Sequence, residues 1–178
     1  MSAMIRTKRL VLRSPKMGDA PAIARHLNNF AVTGNLSVVP FPYAQSDAED
    51  FIGGLSDEAG PQCTQFLIEL EQEGPAGIVG TSDRERGVEI GYWLGEPFWG
   101  RGIMSEAVDA VLKWYFAASG AELIVSGAFH FNMASLAIQH KFGFVETGRS
   151  ERHCVARERD IEHIDTELTR EAFEAAHS

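Results

Sequence analysis

The stretch W-G-R-G-I-M-S-E-A, residues 99–107, decides how the rest of the chain is read. A bulky aromatic precedes two glycines that bracket one arginine, and the chain then enters a helical pattern. A helix N-terminus carries unpaired N–H groups and a partial positive charge, so it attracts anions, and glycines ahead of it let a phosphate touch the backbone. Gly100, Arg101 and Gly102 fit a pyrophosphate cradle, with Arg101 adding charge and Ser105 placing a hydroxyl in the first turn. The same spacing also suits a helix entry shaped by turn geometry alone. It is not a Walker loop, because GxxxxGK[ST] does not occur, nor a dinucleotide GxGxxG, because Ser105 stands where the third glycine belongs.

The flanking patterns narrow the choice. Downstream, Ile103, Met104, Ala107, Val108, Val111, Leu112, Tyr115 and Phe116 recur at three- and four-residue intervals, with Asp109 and Lys113 outside the stripe. This predicts a helix lying flat on a sheet and closed by Gly120. Upstream, V-E-I-G-Y-W-L-G alternates Val88, Ile90, Tyr92 and Leu94 onto one face of a strand and Glu89, Gly91 and Trp93 onto the other. Gly91 suggests a bulge there or the close approach of a ligand. Strands over 63–70 and 76–82 precede this one through turns E-Q-E-G-P and D-R-E-R-G, making an antiparallel meander. E-L-I-V-S-G-A-F follows the helix as a buried strand. A strand, crossover helix and strand are nearly always right-handed and parallel, so the strands around Leu94 and Leu123 are expected to be neighbours running the same way. The loop then lies at the carboxyl end of the sheet, where open α/β sheets bind ligands.

Elsewhere strands and helices alternate. Leu10–Arg13 is a first strand, and Asp19 with Pro21 opens a helix to about Asn28 that buries Ile23 and Leu27. After V-V-P-F-P-Y, Ser46 and Glu49 spell a capping box ahead of a helix carrying Phe51, Ile52 and Leu55, weakened by Gly53 and Gly54 at about 1 kcal/mol each. Asn132 starts a last helix, ended by Gly143, and strands near 144–149 and 160–168 complete a single domain over residues 1–178. A net charge of −9 argues against a nucleic-acid partner, since phosphate neutralisation needs a basic face. No apolar run reaches the roughly 18 residues of a membrane span, and the first residues lack a secretory stretch, so no membrane partner and a cytoplasmic location are expected. Cys63 and Cys154 are too far apart for a zinc motif, and the six histidines form no ligand pattern, so no metal is expected. Either a monomer or a homodimer is compatible with the chain.

The order E-I-G-Y-W-L-G, W-G-R-G-I-M-S-E-A, N-M-A-S-L-A-I-Q-H-K-F-G-F resembles the acetyl-CoA-dependent GNAT superfamily of N-acetyltransferases. The opening T-K-R-L-V-L-R, the P-F-P-Y before an acidic helix and the tryptophan before the glycines are similar to its Rim-type (RimJ/RimL-like) branch, which acetylates ribosomal-protein N-termini. The resemblance runs from Thr7 to about Arg170. It implies an α/β GNAT-type acyl-CoA N-acyltransferase fold: a mixed, bent sheet with helices on both faces, whose two central parallel strands splay apart to admit the pantetheine arm. It also implies acetyl-CoA as cosubstrate and, as acceptor, a primary amine of a protein N-terminus or a small molecule such as an antibiotic or polyamine.

Carried over by position, the resemblance makes the backbone of Tyr92, Trp93 and Leu94 pair with pantetheine amides like an added strand. Trp99, Gly100, Arg101, Gly102, Ile103, Met104 and Ser105 form the pyrophosphate loop, and Asn132 and Ser135 contact CoA. Trp99 and Met104 depart from the Gln or Arg and the Gly or Ala usual at the two ends of that loop. The backbone donors survive, while Met104 is expected to narrow the cradle. Asn132 doubles as a helix N-cap worth about 1 kcal/mol.

An aliphatic amine is mostly protonated near neutral pH and attacks a thioester only after a base removes a proton. Glu89 is the candidate base: it faces away from Ile90 and Tyr92, and the family also uses acids on this strand. Backbone N–H groups near Trp93 and Leu94 are the candidate oxyanion donors. Many relatives protonate the leaving thiolate from a tyrosine seven residues after the helix-start asparagine, but that position is Gln139 here. Ser135 is the alternative acid of the Rim-type branch, or a residue that only hydrogen-bonds CoA. Cys154 lacks a recognisable histidine-and-acid arrangement for a nucleophilic role beyond the adjacent His153. Gln139 keeps a second reading open, a non-catalytic acyl-CoA-binding or sensing domain. A nucleotide phosphate site is a third, and it predicts ATP binding at the loop. The acceptor site is expected at V-V-P-F-P-Y and the first two helices, outside the CoA elements.

Overall fold

The structure, a computed structural model, describes residues 2–56 and 58–178. Eight strands form one sheet: β1 (Ile5–Arg6), β2 (Leu10–Arg13), β3 (Gln65–Leu70), β4 (Gly74–Arg84), β5 (Gly87–Leu94), β6 (Leu123–Phe129), β7 (Val145–Cys154) and β8 (Arg159–Thr169). Their spatial order is β1-β2-β3-β4-β5-β6-β8-β7, and every neighbouring pair is antiparallel except β5 and β6. The helices are α1 (Ala20–Leu27), α2 (Phe30–Thr33), α3 (Gln45–Gly53), α4 (Ile103–Ser119), α5 (Met133–Lys141) and α6 (Arg170–Ala176). This is the mixed sheet with a central parallel pair expected from the sequence. The parallel pair holds only at its start, where Glu89 lies opposite Val125. Beyond that point β5 and β6 part, and a cleft opens between them.

Alternation along the strands sorts side chains to two apolar layers. On one face α4 packs Ile103, Met104, Ala107, Val108, Val111, Leu112, Tyr115 and Phe116 against Leu10, Leu12, Phe66, Ile68, Val79 and Ile90, and every member of the predicted helical stripe is buried. Asp109 and Lys113 pair outside it at 2.6 Å. Gly120 closes the helix in the left-handed conformation, φ 65°. On the opposite face Leu67 and Ile78 pack against Ile23 and Leu27 of α1 and Ala48 and Ile52 of α3. Asp19 does not cap α1 with its side chain. It instead grips Arg13 through two hydrogen bonds of 2.8 and 3.0 Å and accepts from the Lys16 N–H.

Several boundaries correct the sequence reading. The N-cap of helix α3 stands two residues before the Ser46 and Glu49 box: it is Ala44, its N–H donates to Asp47, and Glu49 accepts from Gln45. Gly53 and Gly54 stand at the end of that helix, so Leu55 falls outside it. Cys63 lies ahead of β3 and is exposed. Gly91 makes no bulge, because the β4–β5 register runs unbroken past it, opposite Gly80. Strand β7 extends to Cys154 because β8 pairs with it along its whole length.

Candidate active site

The glycine loop turns the chain from the end of β5 into α4. Gly100 and Gly102 have φ of 71° and 73°, which a residue with a Cβ adopts only under strain. A Cβ at Gly100 would meet nothing within 4 Å. The requirement for glycine there is therefore conformational. The loop is braced from outside: Arg9 Nη1 donates to the Arg101 carbonyl at 2.8 Å, and Glu106 holds Arg9 and Thr7, each at 2.6 Å. Burial works against the Glu106 charge, yet the hydrogen bonds from Thr7 and Arg9 prevail and hold its carboxyl below the ordinary value. The Arg101 guanidinium is engaged by Glu73 at 2.8 and 3.0 Å. Its charge is already partnered, which modifies the role expected of it; what the loop offers an anion is chiefly backbone. Trp99 has a structural task, donating its Nε1–H to the Leu94 carbonyl at 2.8 Å. Met104 is buried in the core cluster.

A cavity of 460 Å³ runs from this loop into the cleft between β5 and β6. Tyr92, Trp93, Leu94, Asn132 and Ser135 line it together with all of residues 99–105. Backbone groups on β5 point alternately to its two neighbours. Gly95 N–H bonds Ala76 O, so Gly91 and Trp93 face β4 while Ile90, Tyr92 and Leu94 face β6. The Ile90 carbonyl accepts from Ser126 Oγ at 2.9 Å, and the Leu94 carbonyl from Trp99. The Tyr92 peptide groups are left facing the cleft, a strand edge that an amide-bearing chain can join. At the far wall Asn132 caps α5, accepting from Ser135 N at 3.3 Å. These features fit a long, amide-containing donor with a pyrophosphate: a free strand edge, a bare left-handed loop and two helix N-termini.

Tyr92 and Ser135, which line both this cavity and the next, meet across the cleft. Ser135 Oγ donates to the Tyr92 hydroxyl at 2.9 Å, and that hydroxyl donates to the Ser135 carbonyl at 3.2 Å. Gln139, buried, donates to Tyr92 at 3.3 Å, to Ser135 Oγ at 3.3 Å and to the Gly127 carbonyl at 3.0 Å, and accepts from Thr166 at 2.7 Å. Burial raises the Tyr92 phenol above its ordinary value, against the pull of Ser135 and Gln139. The sequence placed only the backbone of Tyr92 here. Its side chain brings to this spot, from β5, the phenol that Gln139 does not bring from α5.

Glu89 lines the next cavity, of 120 Å³, along with Gly91, Tyr92, Ser135 and His163. Both of its oxygens are held by Arg152, at 2.8 and 3.3 Å. Burial disfavours the Arg152 charge, but Glu89 outweighs it and the guanidinium's pKa is raised. His163, buried, bonds Asp165 through Nδ1 at 2.7 Å. Sequence reasoning missed this pair, although residues two apart on a strand share a face. Arg152 carried no signal, since only the β7–β8 pairing brings it to β5. Cys154 is buried and donates to the Leu36 carbonyl at 3.2 Å, while His153 pairs with Asp160.

A third cavity, of 680 Å³, shares Glu89, Gly91 and Tyr92 with the 120 Å³ one. Val38, Val39, Pro40 and Tyr43 of the V-V-P-F-P-Y loop line it with Ile23 and Leu27 of α1 and Asp47, Asp50 and Phe51 of α3. Burial, then the charges of Asp47 and Asp50, push the Tyr43 phenol up to about 12. The β7–β8 turn fastens this wall: Arg157 donates to Gly34 O at 2.7 Å and Val155 N–H to Ser37 O at 2.9 Å. Among the described residues, no group of three or more His, Cys, Asp or Glu side chains is placed to hold a metal ion. No helix among them is long and apolar enough to cross a membrane.

Comparison with known proteins matches residues 9–145 to a family described as acetyltransferase (GNAT) domain. The uncharacterized N-acetyltransferase p20 of Bacillus licheniformis is 29% identical over 149 residues, 80% of this chain and 82% of that protein. Mycobacterium smegmatis RimJ, solved with CoA-disulfide, superposes with a TM-score of 0.79 at 25% identity, covering 94% of this chain and 86% of that one. A RimL ribosomal L7/L12 alpha-N-protein acetyltransferase in complex with coenzyme A gives a TM-score of 0.80 at 22% identity, over 96% and 99% of the two chains, a likeness of fold.

Proposed function

The chain belongs to the GNAT acetyltransferase family and is an acetyl-CoA-dependent N-acetyltransferase; from that premise we propose that it acetylates a primary amine, of a protein N-terminus or a small molecule, entering through the 680 Å³ cavity. One observation carries the reading: this cavity and the 460 Å³ donor cavity have Tyr92 and Trp93 as a common wall, so amine and thioester approach the same residues from opposite sides of β5. The loop 99–105, the Tyr92 peptide groups and Asn132 hold the donor. Amine nitrogen forms the C–N bond at the acetyl carbon, the C–S bond breaks, and Ser135 protonates the departing sulfur. Tyr92, which accepts the Ser135 Oγ–H at 2.9 Å in the resting site, relays back to Ser135 one of the two protons the ammonium gives up, the other passing to solvent. The backbone N–H groups of Tyr92 and Leu94, which face the cleft, stabilise charge on the carbonyl oxygen. Glu89, paired with Arg152, lines the 120 Å³ cavity that adjoins both approaches at Tyr92.

Apolar walls with Asp47 and Asp50 on α3 favour a cationic acceptor, and the likeness to RimJ supports a protein N-terminus among the candidates. We place the work in the cytoplasm, where acetyl-CoA is made and thiols such as Cys63 and Cys154 stay reduced. The test is release of CoA thiol from acetyl-CoA across N-terminal peptides, polyamines and aminoglycosides. Thiol release that needs an amine supports the reading. CoA binding without amine-dependent release supports instead an acyl-CoA sensor, the alternative that Gln139 keeps open.

A further inference from the structure

The carboxylate expected to accept the amine's proton is occupied. Arg152 donates to both oxygens of Glu89, two charge-assisted hydrogen bonds that anchor the carboxylate against the guanidinium. Two residues of β8 offer a different acceptor in the same 120 Å³ cavity. The His163 ring is 5% exposed and lies flush on Gly127, where a Cβ would come within 2.3 Å of Cε1. Its Nδ1 is 2.7 Å from Asp165 Oδ1, and Asp165 is fixed in turn by Arg86 at 3.2 Å and Ser150 at 3.1 Å. Among the described residues Nε2 has no hydrogen-bond partner, and no fully buried side-chain nitrogen or oxygen lacks one. Nε2 therefore reaches open space in the cavity that His163 shares with Glu89, Gly91, Tyr92 and Ser135.

We propose that His163, oriented by Asp165, is the general base that takes the proton from the acceptor's ammonium, and that Glu89 serves to fix Arg152. The inference rests on the amine-acetylation reading above. Asp165 accepts the Nδ1–H and so leaves the lone pair on Nε2, the tautomer a base needs. One ammonium proton passes to Nε2, freeing the nitrogen lone pair that forms the C–N bond. The second proton lost by nitrogen leaves with the sulfur through Ser135 as the C–S bond breaks, and His163 returns its proton to water. Net, one proton is released per acetyl transferred. The groups facing the ring agree with a neutral resting imidazole: burial and the Arg152 charge lower its pKa below the ordinary 6.5, outweighing Asp165 and Glu89.

The test is kcat against pH, at saturating acetyl-CoA and amine, for the unmodified protein, His163→Gln and Glu89→Gln, with CoA affinity by calorimetry as the check of folding. The expected unmodified profile falls on the acid side with a midpoint below 6.5. His163→Gln is expected to lower kcat by about 10² to 10³ and remove that limb while CoA affinity holds, and Glu89→Gln to keep the limb. Nitrogen NMR of the unmodified protein is an independent readout, expected to show Nδ1 protonated and Nε2 bare at pH 7.5. Should His163→Gln fail to bind CoA, this measurement decides. The proposal is overturned if His163→Gln keeps the limb and stays within about 3-fold of normal kcat, or if Nε2 carries the proton at pH 7.5. If the unmodified protein binds CoA but releases no thiol with any amine, the acetylation reading falls and this one with it.

Discussion

Replacing Gly100 or Gly102 with alanine separates a phosphate cradle from an ordinary helix entry. Both residues hold φ near 70°, and Gly120 at the other end of α4 holds φ 65°. Alanine in the left-handed region costs roughly 1 to 2 kcal/mol. Neither Gly100 nor Gly120 has an atom within 4 Å of the added methyl, so strain is the only local penalty at either. At Gly102 the nearest atom is Arg9 Nη2 at 3.5 Å, an ordinary contact. Gly120→Ala should show this strain in urea unfolding alone. At the loop, whose residues line the donor cavity, relaxation of the backbone also turns amide donors away from the pyrophosphate. A loss of about 1 to 2 kcal/mol in binding is a 5- to 30-fold rise in Kd. Calorimetry with CoA is the assay: Gly100→Ala and Gly102→Ala are expected to weaken CoA by that factor, Gly120→Ala by less than 2-fold. Equal CoA affinity in all three variants would refute the cradle.

Tyr92→Phe removes the hydroxyl shared by Ser135 and Gln139 and should lower kcat about 10-fold, with the KM for acetyl-CoA within 2-fold in steady-state assays; an unchanged kcat would remove Tyr92 from the proton path. Glu73→Gln frees the exposed Arg101 guanidinium, so CoA should bind about 2- to 3-fold tighter at low salt and lose that gain at 0.5 M salt, as titrations at both ionic strengths would show. Arg13→Gln leaves the mostly buried Asp19 without its cation and should cost about 2 kcal/mol in urea unfolding at pH 7. Burial raises the Asp19 pKa, but Arg13 and the Lys16 N–H outweigh it and hold the carboxyl below its ordinary 3.8. The stabilisation is therefore full above about pH 5 and is lost as pH falls through the folded value, so unmodified and Arg13→Gln proteins should converge in stability below it.

Much of the fold was legible because its signals are local. The apolar stripe from Ile103 to Phe116 has one geometric solution, and Val88, Ile90, Tyr92 and Leu94 assign the faces of β5, Trp93 falling to the opposite layer. What escaped depends in one case on a competing local cap and otherwise on contacts distant in sequence. Ser46 and Glu49 make a plausible box, but Asp47 reaches the Ala44 N–H and starts the helix earlier. Donor-site residues could be placed because the loop, the strand end and the Asn132 cap are contiguous motifs. The chemistry could not, since Glu89 meets Arg152 from 63 positions away and Tyr92 meets Ser135 from 43. Side-chain pairing between elements so far apart leaves no periodic trace in either of them.

The central claim is that donor and amine meet at Tyr92 and Ser135 from cavities on opposite sides of β5. Its most direct test is initial-rate thiol release from acetyl-CoA with the best amine of the panel, for the unmodified protein and for Gly91→Leu, at a position that lines the acceptor cavity but not the donor cavity and where an added Cβ meets nothing within 4 Å. The expected result is amine-dependent release that Gly91→Leu depresses through the amine KM, with CoA affinity unchanged. Contradiction would be CoA affinity lost along with amine affinity, or tight CoA binding with no amine-dependent release from the unmodified protein.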